Sequence, residues 1–86
     1  MMTINFEILE KIIHEKTQEY LAECQGENAS RLNEIKASNK LGVISEFVIC
    51  LYDEVKEGNS DLADAVWNLK TGADDFISKY YEKYYG

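Results

Sequence analysis

The stretch GVISEFVICLY, residues 42–52, decides between a helical and a mixed fold. Its β-branched density suits a strand. A strand with one buried face needs strict alternation, and Val48, Ile49, Cys50 and Leu51 are four consecutive apolar residues. At about 100° per residue, Leu41, Ile44, Val48, Leu51 and Val55 share one face, joined by Phe47, while Glu46, Asp53 and Glu57 fall where a helix is polar. The spacing predicts a helix over about 40–57.

Working outward toward the N-terminus, residues 27–42 are weaker. Leu32 and Ile35 anchor a short helical segment at about 28–37, starting near Asn28. They point well away from the Leu41–Val55 face, so a turn or kink is expected near Ser38–Gly42, with one long bent helix as the alternative. Asn28-Ala29-Ser30 matches a glycosylation acceptor, but with no secretory route it reads as a helix start. Further back, Phe6, Leu9, Ile13, Tyr20 and Cys24 form one stripe of a helix over about 4–25. Thr3 or Asn5 caps its start, Glu7 suits its first turn, and Gln25-Gly26 ends it.

Toward the C-terminus, Glu57-Gly58-Asn59-Ser60 is the clearest turn, with Asn59 or Ser60 capping the next helix. Leu62, Val66, Leu69, Ala73, Phe76, Tyr80 and Tyr84 then recur every three or four residues through Gly72. The unbroken period favours one long helix over about 60–85, with Gly72 at a close contact; the alternative is a break at Thr71-Gly72. The predicted fold is all-α: a compact bundle of three main helices with a short extra segment, forming one domain over 1–86.

Composition agrees, with no proline and 45% apolar residues among 86. Sixteen acidic residues against nine basic ones give a net charge of −7. That disfavours direct nucleic-acid binding or attachment to an anionic membrane, and favours a protein partner with a basic surface. The longest apolar stretch, VISEFVICLY at 43–52, contains Glu46 and is too short to span a bilayer. Glu7 and Glu10 interrupt any secretory signal, so a cytoplasmic protein with reduced, buried thiols at Cys24 and Cys50 is expected.

Few parts for chemistry are present. His14, the single histidine, has Glu10 and Gln18 one turn away, but no second histidine or nearby cysteine completes a metal site. Both cysteines fall in apolar-periodic segments rather than beside a positive charge, which argues against Cys–His catalysis. Asp61, Asp64, Asp74 and Asp75 lack the glycine and terminal glutamate of a calcium loop, and no glycine-rich loop follows a strand. No catalytic residue, metal ligand or cofactor is assigned, and a non-enzymatic protein is expected.

Two surface features remain. Glu15, Glu19, Glu23 and Glu27 recur at i, i+4, an acidic ridge with about 6 Å between carboxylates. Like charges at this spacing cost a helix a few tenths of a kcal/mol per pair, so the ridge does not serve helix stability. In the C-terminal SKYYEKYYG, 78–86, Tyr80 and Tyr84 extend the core stripe, while Tyr81 and Tyr85 lie about 100° further round with Trp67. Lys79 and Lys83 alone make no cationic track for stacked bases. The expected function is a protein-interaction module, a small inhibitor or adaptor. It would present Glu15, Glu19, Glu23 and Glu27 to a basic surface and Trp67, Tyr81 and Tyr85 as aromatic anchors. Two alternatives stand beside it. One is a nucleic-acid mimic of the phage or mobile-element kind, blocking the binding channel of a nuclease or regulator; the other is a homodimer closed through the tyrosine flank.

Overall fold

The computed structural model describes residues 5–86. Four α-helices and one short 3-10 turn follow one another, with no strand among the described residues. They are α1 (Phe6–Ala22), the turn Gly26–Asn28, α2 (Arg31–Val55), α3 (Ser60–Asn68) and α4 (Thr71–Tyr85). The all-α reading of the 42–52 stretch holds, since it lies wholly within α2.

Side chains that satisfy free backbone N–H groups start three of the helices. Asn5 accepts from the Glu7 N–H at 2.7 Å, Ser30 from Asn33 at 3.1 Å, and Asn59 from Leu62 at 3.0 Å. Thr3, the other cap expected for α1, lies outside the described residues. Ser30 thus starts a helix, as the reading of Asn28-Ala29-Ser30 anticipated. Gly26, with φ of 59°, is the only described residue with positive φ, and it turns the chain out of α1.

Two boundaries differ from the pattern-based expectation. The predicted turn at Ser38–Gly42 is absent, and the 28–37 and 40–57 segments merge into one 25-residue helix. The expectation assumed that Leu32 needed a core, whereas Leu32 is exposed. The inward residues of the first half are Ala37, Ser38 and Leu41, which stay in phase with Val48. Gly42 is accommodated in the helix interior with open space around it.

Conversely, the 60–85 helix is interrupted at Leu69-Lys70. Leu69 and Lys70 donate to the carbonyls of Val66 and Trp67, three residues back, which tightens the last turn of α3. Gly72, Asp74 and Asp75 therefore fall in the first turns of α4, where glycine is cheaper and carboxylates suit the positive helix end. The apolar phase survives the interruption: Val66, Ala73 and Tyr80 are all buried.

α2 is the central element, and α1, α3 and α4 each pack against it. α1 runs antiparallel to it, with Lys40 reaching Glu23 at 2.8 Å and lying over the Tyr20 ring. α4 is also antiparallel, tied by Lys83 to Glu34 at 3.0 Å and by Ser45 to Asp74 at 2.8 Å. Ile13, Val48 and Val66 form the buried centre, flanked by Leu9, Ile44, Leu51 and Leu69. Leu41 and Val48 are wholly buried, and each contributes roughly 1.5–3 kcal/mol of apolar transfer.

Candidate partner-binding surfaces

The end of α4 carries a tyrosine cluster. Tyr80 is buried, and its ring lies 5.5 Å from Tyr81, 5.1 Å from Tyr84 and 6.2 Å from Tyr85, centroid to centroid. Tyr81 and Tyr85 also meet each other at 5.5 Å, yet remain 54% and 67% exposed. The start of α2 covers the other side. Arg31 lies over the Tyr84 ring, and the Tyr84 hydroxyl donates to Glu34 at 3.1 Å. The predicted division holds for these four rings: Tyr80 and Tyr84 pack inward, and Tyr81 and Tyr85 face out. Burial, and after it Tyr85, raises the Tyr80 phenol above the ordinary tyrosine value.

Trp67 sits apart from them. Its ring packs edge-on against Tyr52 of α2 at 4.8 Å, and the Lys70 ammonium lies 3.8 Å from its centroid. Fourteen residues separate it from Tyr81, about 21 Å along a helix. Trp67 belongs to a different assembly: Lys70, itself buried, pairs with Asp74, whose other oxygen accepts from Ser45. This Tyr52–Trp67–Lys70–Asp74–Ser45 node locks α2 to the α3–α4 junction. Sequence reasoning missed it, although Lys70 and Asp74 at i, i+4 was a signal that could have been read.

The acidic ridge is placed as expected over its first three members. Glu15 and Glu19 line α1, and Glu23 is its C-terminal cap residue. Glu27 belongs to the separate 3-10 turn, so the regular ridge ends at Glu23. Each of the three has a lysine near it: Lys11 4.0 Å from Glu15, Lys16 3.1 Å from Glu19, and Lys40 2.8 Å from Glu23. These carboxylates raise the Lys16 and Lys40 ammonium groups above the ordinary lysine value, chiefly through the hydrogen bonds themselves. Glu54, Glu57, Asp61 and Asp64, grouped in sequence around the α2–α3 turn, form no ion pair among the described residues. All four are exposed, an acidic run that i, i+4 spacing does not pick out because it crosses the α2–α3 turn.

The cysteines separate. Cys24 is buried and its thiol contacts the Leu21 carbonyl; burial, then the carboxylates of Glu34 and Glu23, push its pKa up. Cys50 is exposed, which corrects the expectation of two buried thiols. It lies about 200° round the helix from Val48 and so faces outward. His14 is exposed and lines a cleft of about 500 Å³ between α1 and the α3–α4 junction, with Glu10, Thr17, Gln18 and Asn68. Among the described residues no three His, Cys, Asp or Glu side chains are arranged to hold a metal. No described helix is long and apolar enough to cross a membrane. No family model, curated protein or solved structure matches the chain.

Proposed function

We propose that this protein is a non-enzymatic interaction module, a small cytoplasmic inhibitor or adaptor, that engages a partner protein with a basic surface. The observation that carries the reading is the pair Tyr81–Tyr85. Both rings are held in place by contact with each other and with buried Tyr80, and both stay more than half exposed. Rigid, amphipathic rings of this kind lose little conformational entropy on binding and commonly serve as interface anchors. Trp67, held by Tyr52 and Lys70, is a further anchor on a separate part of the surface.

Glu15, Glu19, Glu23 and Glu27 supply the charge. α1 has no basic residue in its last turn, so Glu19 and Glu23 oppose its dipole as well as each other. Residues that weaken their own helix are better explained by a partner. Their intramolecular lysines are surface-exposed, and such pairs are worth little, so a partner's arginine can replace them at small cost. Beside the tyrosines, Lys83 is engaged by Glu34, which leaves Lys79 alone and supports an interface with protein rather than with nucleic acid.

The test is capture from native-host extract with wild type, Glu15/Glu19/Glu23→Lys and Tyr81/Tyr85→Ala, with added DNA or RNA as competitor. A partner held by wild type and lost by both variants is the expected result. Equal capture by all three would sink the reading. Displacement by nucleic acid together with steep salt sensitivity would move it to nucleic-acid mimicry.

A further inference from the structure

α2 packs three helices on one side, and no described helix covers its other side. Phe47, expected to join the inward face, sits at the margin, where it also lines an apolar cleft with Phe6 and Leu9 of α1. Leu32, Lys36, Asn39, Val43, Phe47 and Cys50 are all exposed, and their spacings of 4, 3, 4, 4 and 3 keep them on one stripe. At 100° per residue this stripe lies opposite Leu41 and Val48, which are wholly buried. Val43, at its middle, is 70% exposed, more than any other large apolar side chain described.

Of the charges along this helix, Arg31 lies over Tyr84, Glu34 pairs with Lys83, Lys40 with Glu23 and Asp53 with Lys56. Among the described residues that leaves Lys36 before Val43, and Glu46 and Glu54 after it. Val43 is the central residue of Arg31–Val55, so these free charges of opposite sign lie on either side of the helix midpoint.

We propose that this face pairs with the same face of a second copy, antiparallel, about a two-fold axis through Val43. That arrangement sets Val43 against Val43 and Phe47 against Asn39, and brings Lys36 within about one turn of Glu54 on the other copy. A parallel pairing would set Lys36 against Lys36 and Glu54 against Glu54, so the charge pattern selects the antiparallel one. One helix pair buries less than the roughly 1,200 Å² of a standard interface, which places the dimer in the weak class. The tyrosine cluster takes no part in it, so the pairing is independent of the function proposed above.

Cross-linking reads the geometry directly. In the antiparallel register the two Cys50 residues sit fourteen residues apart along the axis, about 21 Å, too far for a disulfide. Two residues at position 43 face each other across the axis. Val43→Cys in a Cys50→Ser background is expected to oxidise to a covalent dimer, while the wild-type protein does not. Sedimentation equilibrium should show a reversible dimer between about 10 μM and 1 mM. Val43→Glu should raise its dissociation constant at least about tenfold with unchanged helical circular dichroism. Glu54→Lys should weaken it and Lys36→Glu with Glu54→Lys restore it. A monomer at about 1 mM overturns the proposal, as does an unaffected Val43→Glu dimer or a ready Cys50–Cys50 link.

Discussion

Asp74 is where a single side chain carries most. It accepts from Lys70 and from Ser45, and Lys70 is buried against the Trp67 ring. Removing the carboxylate strands a buried ammonium, whereas replacing the ammonium by an apolar chain of similar length removes the need for a partner. Asp74→Ala is expected to cost about 2 kcal/mol in urea unfolding, the figure being reduced because Asp74 is itself part-exposed. Lys70→Met should cost less than about 1 kcal/mol. The cysteines make a second contrast. With its pKa raised by burial, Cys24 carries less thiolate at neutral pH than an ordinary cysteine. A thiol reagent should therefore label one cysteine per chain quickly, and peptide mapping should find it at Cys50. Lying in apolar stretches made both cysteines look alike, although the spacing that put Leu41 and Val48 inward already set Cys50 about 200° away from Val48.

Among the elements, α2 and the α3–α4 pair show how far periodicity reaches. It found the inward face of 41–55 and the phase that runs from Leu62 to Tyr84. It did not find that α2 is continuous, because an apolar side chain such as Leu32 need not face a core. Nor did it find the interruption at Leu69-Lys70, since a tightened turn leaves the phase nearly intact. The signal for that boundary was present in Thr71-Gly72 followed by Asp74-Asp75, a helix-start composition. The two glycines now separate by environment. At Gly42 an added Cβ meets open space, so Gly42→Ala should stabilise by about 0.5–1 kcal/mol. At Gly72 it would lie 3.3 Å from the Thr17 methyl, so Gly72→Ala should stabilise less than Gly42→Ala, or not at all. Combining it with Thr17→Ser, which deletes that methyl, should recover the difference in thermal unfolding. The close approach predicted for Gly72 is thus present, near the start of a helix rather than in its interior.

Across the molecule, the shifted groups share one direction. Cys24 and Tyr80 are raised by burial first, and Lys16, Lys40 and Lys83 by hydrogen bonds to Glu19, Glu23 and Glu34. In each case the folded protein holds the proton more tightly than the unfolded chain does. Their contribution is complete below the unfolded pKa values and is lost as pH rises through the raised ones. Stability should therefore be flat on this account through neutral pH and fall from about pH 9 upward, measured as the urea midpoint across an alkaline series. Two of these pairs, Lys40–Glu23 and Lys83–Glu34, also tie α1 and α4 to α2, so their loss should loosen both packings together.

Local rules sufficed for part of this protein. Helical class, the inward lines of α1, of 41–55 and of 62–84, and the split of the four C-terminal tyrosines follow from spacing at 100° per residue, and the Asn59 cap from the polar turn before α3; both are properties of the chain alone. The acidic ridge was visible for the same reason, up to the point where α1 ends. What the helices do to one another was not visible. That α2 is the central element, that Lys40 and Lys83 answer glutamates 17 and 49 residues away, and that Trp67 belongs with Lys70 and Asp74 rather than with Tyr81 are all consequences of packing. Such contacts join residues whose separation in sequence carries no period, and only the folded arrangement brings them within reach.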